Sequence, residues 1–179
     1  IRDTTSKYWN IIEFLPPVKI GEWKTFYSDG KPWEVYNFKP NDTTEYLKDL
    51  YARNGDHQVV NGNGKVMELF ASGKPRLETT YKNGLKNGLF AEWNANGSKK
   101  VEGYYSDGRM SGEWVYYFLK SKGINQKVNF KDGVKDGPFE DYMPNDTLSV
   151  KGFYKNGVKD GIWVYNFENG QTDMTGEFK

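Results

Sequence analysis

The chain has 179 residues, with 25 Lys and Arg against 24 Asp and Glu, a formal net charge of +1, and no cysteine. That balance excludes an overall basic field able to hold nucleic acid. The missing thiols exclude disulfides and thiolate metal sites, and no apolar run approaches the roughly 18 residues of a membrane-spanning helix. Aromatic residues make up 17% of the chain and glycines number 20. This composition suits half-buried strands separated by turns, because Tyr and Trp carry an apolar body with a polar handle.

In chain order, the opening segment holds Tyr8, Trp9, Ile11, Ile12, Phe14 and Leu15 before Pro16-Pro17. It is apolar enough to cap an open sheet edge. A first, diverged hairpin follows around Gly21–Gly30, so residues 1–38 form a cap and first hairpin. Residues 39–63 form an irregular insertion. Within it, Asp42-Thr43-Thr44-Glu45 has the spacing of a helix start, and Tyr46, Leu47, Leu50 and Tyr51 share one helical face. Asn54-Gly55 supplies a stop, which predicts one short helix over 43–53. The start at Ile1 rather than Met reads as a processed or trimmed chain. It favours a secreted, periplasmic or cell-envelope location over the cytoplasm.

Residues 64–179 are a tandem repeat. The clearest copies are Tyr81-Lys82-Asn83-Gly84-Leu85-Lys86-Asn87-Gly88 and Tyr154-Lys155-Asn156-Gly157-Val158-Lys159-Asp160-Gly161. Equivalent aromatics stand at Tyr81, Tyr105, Phe130, Tyr154 and Phe178, in steps of 24, 25, 24 and 24. After the second glycine comes an aromatic run and, about nine residues on, another turn. One unit is lengthened, from Gly112 to Gly123, and another has Asn145-Asp146 in place of the glycine. Asn and Asp tolerate left-handed backbone, so the turn chemistry is preserved there.

Each unit therefore reads as one hairpin. A strand runs from just after the second glycine (Glu113 to Leu119, for instance), a turn follows, and a strand such as Lys99 to Tyr105 returns. The double-glycine segment then links to the next hairpin. Two residues after the second glycine stand Trp23, Val66, Phe90, Trp114, Phe139 and Trp163. Five after it stand Phe26, Leu69, Trp93, Tyr117, Tyr142 and Asn166. An offset of three cannot keep both sets on one face by simple alternation. Aromatics on both faces are expected, with a bulge as the other route. Stacked units then extend a core through nearest-neighbour contacts.

Chemistry for catalysis is sparse. His57 is the lone histidine and stands 24 residues before Tyr81, where it can fill a ladder position. No Gly-x-Ser-x-Gly elbow occurs. Asn61-Gly62-Asn63-Gly64 lacks both the Lys-Ser/Thr and the spacing of phosphate-binding loops. Asp107, Asp132 and Asp136 sit in turns and have a turn-forming reason to exist. No catalytic, cofactor or metal site is expected.

The Tyr-Lys-Asn-Gly-x-Lys-Asn/Asp-Gly-x-Trp/Phe pattern resembles the MORN-repeat variant of bacterial proteins, well over residues 57–179 and loosely over 19–38. The resemblance implies an all-β fold, an elongated, twisted single-layer antiparallel sheet of tandem hairpins. It also implies a non-enzymatic scaffold that binds a protein partner, an antitoxin-like role beside a toxin, or membrane-surface association. Near-zero net charge and the lack of a basic amphipathic helix argue against the membrane role. A carbohydrate- or envelope-binding module is the other class to weigh. Trp114-Val115-Tyr116-Tyr117 is the nearest match to the aromatic cage of choline- and glucan-binding repeats. Tyr81, Tyr105, Phe130, Tyr154, Phe178, Trp23, Phe90, Trp114, Phe139 and Trp163 are assigned to the structural ladder. Tyr116 and Tyr165 replace a mostly polar position. With Trp93 and Tyr117, they are the candidates for partner binding, along with the irregular loops. The sequence leaves the oligomeric state open.

Overall fold

The computed structural model describes residues 18–121 and 123–179. The apolar opening segment expected to act as a cap lies outside them. Among the described residues, fourteen strands follow one another in chain order. They begin with β1 (Gly21–Phe26), β2 (Pro32–Phe38), β3 (Tyr46–Tyr51), β4 (His57–Val60), β5 (Asn63–Leu69), β6 (Pro75–Lys82) and β7 (Leu85–Trp93). They continue with β8 (Lys99–Ser106), β9 (Arg109–Tyr117), β10 (Ile124–Lys131), β11 (Val134–Tyr142), β12 (Leu148–Lys155), β13 (Val158–Asn166) and β14 (Thr172–Phe178). Every strand pairs antiparallel with its sequence neighbours, giving one open sheet.

Two turn types alternate through the regular part. Asn83-Gly84, Asp107-Gly108, Asp132-Gly133 and Asn156-Gly157 have positive φ at both residues. This geometry matches the twist of a two-residue hairpin. Five-residue loops form the other type. In Asn94–Ser98, the Asn94 N–H donates to the Ser98 carbonyl and the Gly97 N–H to the Asn94 carbonyl, each at 2.8 Å. The same bonds recur across Met143–Thr147, where Asp146 takes φ +64 in place of the usual glycine. The double-glycine segment is thus itself a hairpin turn, and the expectation of a mere link between hairpins is corrected.

The second glycine is not where the strand begins. It lies inside the strand as a bulge. Thr79 pairs with Phe90 and Tyr81 with Lys86, so Thr80 alone faces Asn87, Gly88 and Leu89. Gly88 takes φ +100 there, and Gly161 takes +69 at the matching point of β13. The bulge also makes room for neighbouring turns. The Gly108 N–H donates to the Lys86 carbonyl, Gly133 to Met110 and Gly157 to Lys135, at 2.8–2.9 Å. Each tight turn is therefore tied to the strand two places back as well as to its own partners.

The predicted helix at 43–53 is absent. Asp42 does accept the Thr44 N–H at 2.8 Å, as a capping residue would, and it also accepts the Tyr46 hydroxyl at 2.9 Å. The chain then runs straight into β3, which pairs with β2 on one side and β4 on the other. An eleven-residue helix is marginal in water by itself. Strand pairing on both edges satisfies the same backbone groups and lets Leu47 join the core.

The core lies on one face as a row running across the strands. Register partners carry it from Val66 through Thr79 and Phe90 to Gly103, from Trp114 through Val128 and Phe139 to Gly152, and from Trp163 to Gly176. The Trp114 and Trp163 indoles join these runs across the bulges of β9 and β13. From Phe90 onward, large side chains alternate with small ones. The Trp114 indole lies over Gly103 and the Trp163 indole over Gly152, where a Cβ would enter the ring. Phe90 and Trp114 rings stand 5.4 Å apart, and Phe139 and Trp163 5.3 Å apart. Trp163 is only 1% exposed although a single sheet has no second layer. Its indole N–H donates to the Phe153 carbonyl at 3.2 Å, as that of Trp114 does to Tyr104 at 3.1 Å. A second, smaller cluster joins Leu47, Val59 and Val66.

Candidate functional site

A neighbouring row on the same face holds the recurring aromatics of the tight turns. Tyr105 meets Phe90 and Trp114 edge-on at 5.4 and 5.1 Å, and Tyr154 meets Phe139 and Trp163 at 5.4 and 5.1 Å. Phe130 and Phe178 close on Trp114 and Trp163 at 6.3 and 6.1 Å, and Tyr81 borders the smaller cluster. Trp23, on β1, the first strand among the described residues, is half exposed and contacts Phe38. Lysines lie across these rings: Lys86 over Phe90 and Tyr105, Lys135 over Phe139 and Tyr154, and Lys159 over Trp163 and Phe178. Their ammonium groups lie over the ring faces, 4.3–5.7 Å from the centroids. Met110 takes the equivalent place opposite Tyr105.

The four residues proposed from sequence for partner binding are not brought together. Tyr116 and Tyr165 fall on the core face, half-buried against the aromatic cluster. The Tyr165 hydroxyl accepts from Lys159 Nζ at 2.9 Å. Trp93 and Tyr117, three residues beyond Phe90 and Trp114, fall on the opposite face. Tyr117 donates to Glu102, and burial together with that carboxylate pushes its phenol up to about 12. Burial alone would raise the Glu102 carboxyl, but Lys99 and Tyr117 hold it low. The offset of three therefore does place aromatics on both faces. His57 stands outside the Tyr81 row. It stacks on Tyr51 at 4.2 Å, with Nε2 3.1 Å from Asp49.

The two larger grooves among the described residues border the insertion strand β3, and sequence reasoning missed both. One, of about 750 Å³, is lined by Tyr36, Tyr46, Tyr81, Lys86, Arg109 and Asp132, beside the tight turns. Burial raises the Tyr36 and Tyr81 phenols and lowers the Lys86 ammonium. The hydroxyls accordingly remain protonated donors at neutral pH. The other, of about 520 Å³, lies beside the five-residue loops. Tyr27 and Trp33 stack there at 5.6 Å and 27°. Arg53 lies 5.8 Å from the Tyr27 ring, and the Tyr27 hydroxyl donates to the Tyr51 carbonyl at 2.9 Å. Leu50, Met67 and Leu69 supply apolar contacts, and Asp56, Glu68 and Arg76 supply charge. The sequence signal for both grooves was the tyrosine-rich insertion, read as a helix face. Among the described residues, no three His, Cys, Asp or Glu side chains converge to hold a metal ion.

An open sheet of tandem hairpins, held by side-chain ladders and flanked by shallow grooves, defines a β-hairpin repeat protein. A family model described as the MORN repeat variant matches residues 19–39, which span the β1–β2 hairpin. That hairpin is the unit whose sequence fits the repeat pattern loosely, and its fold continues without interruption into the regular units. No curated protein matches the chain.

Proposed function

We propose that this chain is a non-enzymatic repeat scaffold that binds a protein partner through the face opposite its aromatic core. The observation that supports this is a set of apolar side chains left open there. Leu89 pairs with Tyr104 and Pro138 with Phe153, and Ile162 follows on β13. Leu89, Tyr104, Phe153 and Ile162 are 38, 56, 41 and 68% exposed. None has a structural duty comparable to that of the buried row. Apolar groups gathered on one surface and edged by polar ones are the usual mark of a contact site. Between the two pairs stand Glu113 and Asn129, also paired across strands, which supply polar specificity.

The test replaces Phe153 and Ile162 together by Glu. Both side chains are exposed, so folding should be retained. Cross-linking and affinity capture from native extract should give a defined partner with the unaltered chain and a roughly tenfold loss with the double variant, the effect expected of central anchor residues. No partner with the unaltered chain, or full retention by the double variant, would refute the assignment.

A further inference from the structure

We infer that the groove beside the five-residue loops is a binding site for a neutral oligosaccharide, separate from the protein-binding face. Its volume of about 520 Å³ falls within the range of about 300–1,000 Å³ typical of small-ligand sites. Its central feature is an aromatic platform already fixed in place. Trp33 is 42% exposed and stacks on Tyr27 at 5.6 Å. Tyr27 is in turn held by its hydroxyl on the Tyr51 carbonyl at 2.9 Å and has Arg53 at 5.8 Å from its ring. An exposed, backed indole offers a flat apolar surface to the C–H face of a sugar ring without further ordering.

The polar groups around the platform decide the class of ligand. Asp56 and Glu68 accept, and Arg53 and Arg76 donate. Arg76 is held by an ion pair with Glu68 and Asp56 by bonds to Asn54, so these groups are oriented before a ligand arrives. Hydroxyls both donate and accept, and can satisfy such a mixed rim. Two carboxylates and two guanidiniums leave the rim without net charge, so it has no excess of positive charge to hold a phosphate or uronate. An extended peptide finds little backbone to pair with, because the loop groups are already bonded. The Ala52 N–H donates to the Asp56 carbonyl, and the Phe70 N–H to the Lys74 carbonyl, each at 2.8 Å.

The test uses the full chain and five trisaccharides as probes: cellotriose, maltotriose, xylotriose, mannotriose and chitotriose, each to about 20 mM. The readout is the indole N–H resonance of Trp33, backed by calorimetry. At least one probe should shift that resonance saturably. Trp33→Ala should weaken binding tenfold or more, and Trp33→Phe, which keeps a ring, by no more than about threefold. Phe153→Glu should leave it unchanged, which separates this site from the protein-binding face. The inference is overturned if no trisaccharide gives a saturable shift, or if Trp33→Ala binds as well as the original. It is also overturned if adenosine or hexaglutamate binds the groove more tightly than every sugar, which would reassign it to a nucleobase or an acidic peptide.

Discussion

Adding one methyl group at Gly103 tests the logic of the buried row directly. Gly103 lacks a left-handed φ, so Gly103→Ala carries no backbone penalty. In an ordinary strand it would stabilise by about 0.5–1 kcal/mol, since alanine loses less conformational freedom on folding. Here the new Cβ enters the five-membered ring of the Trp114 indole. That ring cannot retreat, being 3% exposed and held between Phe90 at 5.4 Å and Tyr105 at 5.1 Å. Overpacking of this kind costs about 1–3 kcal/mol, so the net loss should be about 1–2 kcal/mol. Gly176 is the matched control. It pairs with Trp163 in the same row, but its Cβ would meet only Phe178, at 3.9 Å. Gly176→Ala should gain up to about 0.5–1 kcal/mol. Urea unfolding followed by tryptophan fluorescence gives the ranking. Because repeat arrays need not unfold in one step, hydrogen exchange of the β8 and β9 amides should locate the loss. A stabilised Gly103→Ala variant, or two variants that behave alike, would refute the large-over-small account.

Thr79 is buried in the same row, and its hydroxyl has no hydrogen-bond partner among the described residues. Thr79→Val should raise stability by about 1 kcal/mol, because an unsatisfied buried hydroxyl carries a desolvation cost that a methyl group does not; a lower urea midpoint would count against it. Lys86→Met should fold normally, since Met110 fills the equivalent place opposite Tyr105. Burial depresses the Lys86 ammonium below its ordinary 10.5, so the unfolded chain binds the proton more tightly. Stability should therefore rise as pH climbs from the depressed value towards 10.5, and the difference between the original chain and Lys86→Met should trace that rise. The Tyr117 and Tyr142 phenols are raised to about 12 by burial and by their bonds to Glu102 and Glu140. Their contribution is complete below pH 10 and fades as pH rises through 12. In a spectrophotometric titration, Tyr117→Phe should remove a late phenolate step, and loss of a step near pH 10 instead would contradict the assignment.

The repeat period, the turn residues and the buried places of Phe90, Trp114, Phe139 and Trp163 were legible in the sequence because they depend on local chemistry, whereas Trp23, assigned to the same ladder, is half exposed on β1. Asn-Gly and Asp-Gly carry their turn geometry with them, and Phe90, Trp114, Phe139 and Trp163 recur because each must cover the same place in successive units. The helix at 43–53 failed for the opposite reason. Tyr46–Tyr51 forms a strand through pairing with β2 and β4, and pairing between segments leaves no mark in the segment itself. The bulge at the second glycine was half legible. Glycine at a fixed point after a turn is visible in sequence. Its role in freeing the Lys86 carbonyl for Gly108 requires the third strand to be in place. The grooves were hidden because their walls come from hairpins far apart in the chain. Tyr36, Tyr81 and Arg109 meet only after three hairpins have stacked.

The structure also separates a 24-residue period from one of twice that length. Gly103 and Gly152, Phe90 and Phe139, Tyr105 and Tyr154, Trp114 and Trp163, Lys86 and Lys135, and Tyr116 and Tyr165 are each 49 positions apart. Two adjacent units share one aromatic block, in which an indole and a phenyl ring meet over a glycine. Val128 divides one block from the next, and no ring contact joins Trp114 to Phe139 across it. The exposed pairs on the other face, Leu89–Tyr104 and Pro138–Phe153, follow the same longer period. That agreement follows from the strand itself. The residue after each glycine points away from the core, and its carbonyl receives the indole N–H of that block. Packing on the inner face thus sets where apolar groups emerge on the outer one. With about 4.8 Å between strands, the two pairs stand about 19 Å apart. A partner that reads this face must match that interval, so inserting one 24-residue unit between the pairs should abolish two-point binding while leaving the fold intact.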